Sequence, residues 1–182
     1  TIYTTFGNVG GGANLAIHTW LLSLEQYFKK HNGLPRTLYH QIDGGPENAN
    51  QEFLAICALL VASGLVDKIV LTRLPVGHTH EDIDGLFALI WRKLRDEFSL
   101  VPSEFVDLIK LALKKKGNVR VIDLLALPDY VSLLAGCFDK SLSRFAKEEW
   151  TVNQFIFEFD PSRPCQVKTT YRYYCSDEFF EI

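Results

Sequence analysis

The densest chemistry in the chain lies in Leu74-Pro75-Val76-Gly77-His78-Thr79-His80-Glu81-Asp82-Ile83-Asp84, where two imidazoles and three carboxylates fall within residues 78–84. A second polar turn, Asp43-Gly44-Gly45-Pro46-Glu47-Asn48-Ala49-Asn50, presents a carboxylate directly after a run of strand character. Carboxylates gathered in one place repel each other unless a cation sits between them. Oxygen-rich sets of this kind suit Mg²⁺ or Mn²⁺, which bind through one or two carboxylates together with substrate phosphates. A pair of such ions can hold the attacking and leaving oxygens of a phosphoryl displacement. Helical geometry ranks the later acids. In a helix starting near His80, Asp84 shares the face of His80 and neighbours Glu81, so it is the acid best placed to reach a sheet rim. Asp43 and Asp84 are therefore the expected metal ligands. Asp82 and Glu81 are second choices, and first-turn acids also complement a helix dipole. His78 and His80 are expected to orient the turn or meet phosphate, since a protonated imidazole can do either.

The elements that must position these groups alternate in type. Residues 2–6 read as a strand, residues 7–12 as a glycine-rich loop, and residues 15–30 as an apolar-periodic helix capped by Asn14 and ended by Asn32-Gly33. A strand over 37–42, a helix over 50–63 closed by Gly64, and a strand over 68–74 follow. A helix from His80 or Glu81 to about Phe98 carries Ile83, Phe87, Ile90 and Leu94, which are expected to form its core face. Strands alternating with helices imply crossover units and parallel strand pairs. A parallel sheet offers its ligand site outside the carboxyl ends of its strands. Here those ends are Asp43-Gly44 and Pro75-Val76-Gly77-His78. Further on, Pro102-Ser103 opens a helix through Lys116, and Pro128-Asp129 opens a short helical stretch toward Ala135. Residues 150–159 and 167–174 pair as a terminal hairpin.

With 182 residues, 22 acidic against 19 basic side chains and a net charge of −3, the chain reads as one soluble globular domain with no overall basic footprint. Aromatic content of 13% excludes disorder as the main state. The most apolar stretch, residues 57–66, is about half of what a membrane span needs. No signal peptide is recognisable. Cys57, Cys137, Cys165 and Cys175 show no metal-binding spacing. Cys57 is expected to be a buried apolar residue, while a Cys165–Cys175 bridge stays open. The expected location is nuclear or cytoplasmic. The lack of Met and the strand-like opening lead to the expectation of a piece of a longer polypeptide.

Other polar and aromatic residues have plainer readings. Gly7-Asn8-Val9-Gly10-Gly11-Gly12 is not a phosphate-binding fingerprint and lacks its Lys. His40 reads as a packed or edge histidine. Trp20, Trp91 and Trp150 read as core. Arg92, Lys93 and Arg95 are either a solvated face or phosphate contacts, depending on what the helix borders.

Tyr39-His40-Gln41-Ile42-Asp43, Glu47-Asn48-Ala49-Asn50 and the stretch from Leu74 to Phe87 together resemble a eukaryotic domain family of unknown function. Its members are similar to the ribonuclease-H-like cores of DNA transposases and integrases. The likeness covers residues 1–95, and more loosely the tail from Trp150. It implies an α/β fold: a ribonuclease-H-like core with a mixed sheet and flanking helices over 1–100, lacking its first strands, with a helical and β-hairpin extension over 101–182. It also implies Mg- or Mn-dependent cleavage or strand transfer on DNA, with Asp43 and Asp84 as catalytic acids, Glu47 and Asn48 in support, and a possible homo-oligomer. The sequence departs from that pattern at three places. No acid lies in residues 1–6, Gly44 follows the strand-tip Asp where Asn is usual, and Ala49 replaces a usual Lys. The missing first carboxylate opens an alternative, a domesticated, inactive nucleic-acid- or protein-binding module. A lesser alternative is a metallo-β-lactamase-like hydrolase, suggested by His78-Thr79-His80-Glu81-Asp82 after a strand. Against it, no His follows His80.

Overall fold

The computed structural model describes residues 1–6, 9–42, 50–74, 82–117, 119–135, 154–163, 166–172 and 178–181, without the side chains of Asp82 and Glu181. The fold is mixed α/β and divides into two compact units, one of Thr1–Gly10 with Gly77–Leu127 and one of Gly11–Val76 with Pro128–Ile182.

The larger unit is built on a five-stranded sheet. Its chain order is α1 (Ala13–His31), β2 (Thr37–Ile42), α2 (Gln51–Ala62), β3 (Lys68–Arg73), α5 (Tyr130–Leu134), β5 (Gln154–Phe159), β6 (Val167–Arg172) and β7 (Phe180–Glu181). The strands lie in the order β2-β3-β5-β6-β7. β2 and β3 are parallel, in register from Thr37↔Lys68 to Ile42↔Arg73, as a crossover through α2 requires. The terminal hairpin forms as expected: β5 and β6 are antiparallel. It does not stand apart, because β5 also pairs antiparallel with β3.

Local signals account for the helix boundaries. Asn50 caps α2 by accepting from the Phe53 N–H at 2.8 Å, and Gly64, with φ of 70°, supplies the left-handed residue beyond its end. Asn32 ends α1 in the left-handed region with φ of 55°. The start of α1 differs from expectation. Gly12 occupies the cap position with φ of 83°, and Asn14 lies within the first turn. Its side chain serves a different helix: the Asn14 carbonyl oxygen accepts from the Val131 N–H at 3.0 Å, and its amide donates to Asp129 at 3.2 Å. Asp129 is the true cap of α5, accepting from the Ser132 N–H at 3.1 Å. Asn14 is thus spent on a contact 115 residues away in sequence, which a local capping pattern does not reveal.

One core holds this unit together. Ile17 and Trp20 of α1, Phe53, Leu54, Ile56, Cys57, Leu60 and Val61 of α2, Leu134 of α5, and Ile42, Ile69, Leu71, Phe155 and Phe157 of the sheet are all buried in it. The described helices of this unit therefore share one sheet face. On the other face, alternation places Tyr39, Gln41, Lys68, Val70, Thr72, Gln154, Ile156 and Glu158.

The smaller unit contains β1 (Ile2–Thr5), α3 (Asp82–Asp96), α4 (Pro102–Ala112), a 3₁₀ turn (Lys114–Lys116) and β4 (Val121–Leu124). β1 pairs in parallel with β4 as a two-stranded sheet. Pro102 starts α4, and the Glu104 carboxylate reaches back to the Leu100 N–H at 2.8 Å. Ile90, Ile109 and Leu113 form the core, flanked by Leu86, Leu89, Leu94 and Phe105.

α3 departs from the expected facing. Ile90 is buried and Leu94 flanks it, but Ile83 and Phe87 are 58% and 51% exposed, and Trp91 is 63% exposed rather than core. The physical reason is competition between two apolar rows. Leu86, Leu89 and Ile90 satisfy α4 from one side, so the row Ile83, Phe87, Trp91 is left outside. Trp20 is buried as expected, while Trp150 lies outside the described residues. No described helix is long and apolar enough to cross a membrane.

Candidate functional site

The carboxyl end of the β2–β3 pair is built by core side chains. On β2, Leu38, His40 and Ile42 point to the helices, and on β3 the matching set is Ile69, Leu71 and Arg73. The ladder continues one residue past the strands, where the Leu74 N–H donates to the Ile42 carbonyl at 2.9 Å. The chain therefore passes into residue 43 and into residue 75 from neighbouring positions at one end of the sheet. Asp43, Glu47, Asn48, His78, His80 and Glu81 themselves lie outside the described residues.

Arg73 is a feature that the sequence reading passed over. It is 5% exposed, and its guanidinium lies 5.1 Å from the centre of the Phe155 ring, a cation–π arrangement. A charged residue in an otherwise apolar inward set, after Ile69 and Leu71, is the signal that marks it. Charges are rarely buried without a structural or functional reason. On the opposite face, the last rows of the sheet are polar. The Gln154 amide donates to the Thr72 hydroxyl at 3.0 Å, Gln154 is in register with Arg172, and the Arg172 guanidinium lies 4.7 Å from the Phe179 ring centre.

His40 proves to be a packed histidine. Its ring stacks on Trp20 with centroids 4.9 Å apart and on Phe53 at 5.7 Å. Burial pulls its pKa down to about 4, so it is neutral at physiological pH and is a core ring rather than a proton carrier. Cys57 is buried and free, and burial pushes its thiol well above the ordinary range.

In the smaller unit, α3 carries the later acids. Asp82 is its first residue, and Asp84 stands exposed two positions on. Further along, Lys93 pairs with Glu97, whereas Arg92 and Arg95 are exposed. Among the described residues, no group of three or more His, Cys, Asp or Glu side chains is placed to hold an ion. The Asp84 carboxylate is an exposed oxygen donor, the type of ligand that Mg²⁺ and Mn²⁺ accept.

The family model described as "Domain of unknown function (DUF7869)" matches residues 1–177. The chain belongs to this family. The match runs through both units and both polar turns. No curated protein and no solved structure matches the chain.

Proposed function

We propose that this family member is a ribonuclease-H-like core that cleaves or transfers phosphodiester bonds of DNA with Mg²⁺ or Mn²⁺, in the manner of transposases and integrases. The observation that supports the reading is the parallel, in-register β2–β3 pair, which brings the chain into Asp43 and into the histidine–carboxylate segment from one end of the sheet. The reading assigns the cation to Asp43 and Asp84, with Asp82 and Glu81 as neighbouring acids and His78, His80, Glu47 and Asn48 in support. When bound, the cation supplies Lewis-acid stabilisation of the phosphate oxygens. The chain's own residues hold that cation and orient the strand. The reading also needs a further carboxylate on a neighbouring strand. Among the described strands, β2 is one of the two edges of the five-stranded sheet, and an edge strand carries unpaired N–H and C=O groups to which another strand can add.

The deciding experiment incubates the protein with supercoiled DNA and Mn²⁺, beside Asp43→Ala and Asp84→Asn, with Mn²⁺ binding followed by electron paramagnetic resonance. The expected outcome is nicking by the unmodified protein, none by either variant, and weakened Mn²⁺ uptake in both. Equal nicking by all three proteins would remove these acids from the mechanism. No nicking by any of them would favour the inactive, domesticated binding module.

A further inference from the structure

We infer that the turn closing α4, with Lys114, Lys115, Lys116 and, beyond Gly117, Arg120, is a phosphate-binding edge for duplex DNA. The inference rests on the function proposed above and names the surface by which its DNA is held.

Three observations carry it. First, the charge is concentrated and unspent. Residues 107–123 hold five bases, Lys110, Lys114, Lys115, Lys116 and Arg120, against two acids, Asp107 and Asp123, in a chain whose net charge is −3. Lys110 pairs with Asp107. Lys114, Lys115, Lys116 and Arg120 are exposed and form no ion pair with a described residue. The helix dipole does not account for them, because its effect falls off within the last turn. Lys110 already stands there, and the three lysines come after the Leu113 cap. Second, the turn is fixed. Leu113 is 1% exposed in the core of its unit. The Lys116 N–H donates to the Leu113 carbonyl at 2.8 Å, and the Arg120 carbonyl accepts from the Ile2 N–H at 2.8 Å. Like charges held together in a short fixed turn repel each other, and phosphates relieve that cost. A 3₁₀ turn has three residues per turn, so the lysines fan out, and two of them can meet a row of phosphates together with Arg120. Third, the turn stands at the acidic end of a helix pair. Residues 97–101 join α3 to α4, and Leu86, Ile90 and Leu94 share one core with Phe105, Ile109 and Leu113. Helices joined by so short a connection and packed along two turns each run antiparallel. α4 therefore ends toward the start of α3, where Asp84 is exposed and pairs with none of these cations. Glu81 and Asp82 precede it in the chain. Carboxylates repel phosphates, so DNA that reaches these acids has to be gripped by cations the acids do not cancel, and this turn supplies them. A membrane surface has no use for that neighbourhood, whereas the substrate of the proposed reaction does.

The test is binding of a fluorescein-labelled DNA duplex by anisotropy, in EDTA and over a salt series, so that it proceeds whether or not the protein cleaves DNA. Lys114→Gln/Lys115→Gln/Lys116→Gln/Arg120→Gln is expected to lower the slope of log K against log salt by about 2.7, three phosphates at roughly 0.9 each. Lys114→Arg/Lys115→Arg/Lys116→Arg keeps the charge and should keep the slope. Lys29→Gln/Lys30→Gln, at the end of α1 where Lys29 pairs with Glu25, should leave it unchanged. Circular dichroism and thermal unfolding confirm that each variant keeps the fold. The inference is overturned if the unmodified protein does not bind the duplex, or if the four-fold glutamine variant keeps the slope. It is also overturned if the Lys29/Lys30 variant loses as much, since net charge alone would then set binding. Lysine-dependent binding to phosphatidylserine vesicles with none to the duplex would overturn it as well. Absent nicking with lysine-dependent binding would sink the nuclease reading and leave this one standing, and nicking with an unchanged slope in the glutamine variant would do the reverse.

Discussion

His40 keeps its meaning between sequence and structure. Read as a packed or edge histidine, it lies on the inward set of β2, stacked against Trp20 and Phe53. Burial lowers its pKa from 6.5 to about 4. Between those values the unfolded imidazole binds a proton that the native one refuses, so native stability falls as the pH drops through this window. Replacing the ring by Phe removes the titration. Urea unfolding of His40→Phe should therefore show a flatter stability profile between pH 6.5 and 4, with a relative gain at the acid end of at most about 3 kcal/mol. Asp129 and Asp160 titrate in the other sense. Serine hydroxyls and N–H groups hold both carboxyls below 3.8, so their contribution is present above that value and is lost only as the pH falls further. The two effects occupy separate windows, and one pH series distinguishes them. Arg73 carries the converse lesson. It reads as an ordinary charged residue at a strand end, yet it is buried over Phe155.

At the scale of elements, α3 is the informative case. Its sequence has two apolar rows, and periodicity alone assigns both Phe87 and Ile90 to the core side. In the structure, Ile90 packs with Ile109 and Leu113 while Trp91 stays outside. Thermal or urea unfolding of adjacent single variants checks this directly. Ile90→Ala is expected to cost about 2–5 kcal/mol through lost burial and a cavity, and Trp91→Ala less than about 0.5 kcal/mol. Comparable costs at the two positions would place Trp91 in a core. α5 illustrates a different kind of dependence. Five residues, Tyr130–Leu134, are too few for a stable isolated helix. It is held by the Asp129 cap, by Asn14 of α1 and by the 2.9 Å hydrogen bond between His18 and Tyr130.

At the scale of the whole molecule, the larger unit has one continuous core running from α1 through α2 to β3 and β5, and Cys57 lies at its centre with no exposed surface. The thiolate is the reactive form of cysteine, and burial disfavours it here. Alkylation of the peptide bearing Cys57, followed by mass spectrometry, should be slower in the native protein than in urea by about 10³ or more, set by the stability of the unit. Phe155→Ala, on the far side of the same core, should accelerate it about a hundredfold or more, as expected for a loss of about 3–5 kcal/mol. Labelling of Cys57 at the denatured rate in native buffer would mean that this core does not close. Much of the architecture follows from the sequence by itself: the order of strands and helices, the Gly64 stop, the apolar α2, the parallel β2–β3 pair and the hairpin. These rest on alternation, helical period and capping, which act between residues a few positions apart. The types of the site residues were legible for the same reason. Only the tertiary structure decided that β5 joins β3, with Gln154 bonded to Thr72 across 82 residues, that β1 pairs with β4, that Asn14 caps a helix other than its own, and which row of α3 meets water. Each of those is a choice among distant partners of similar local character, and it is settled by which pairing buries more apolar surface while leaving the fewest polar groups unsatisfied.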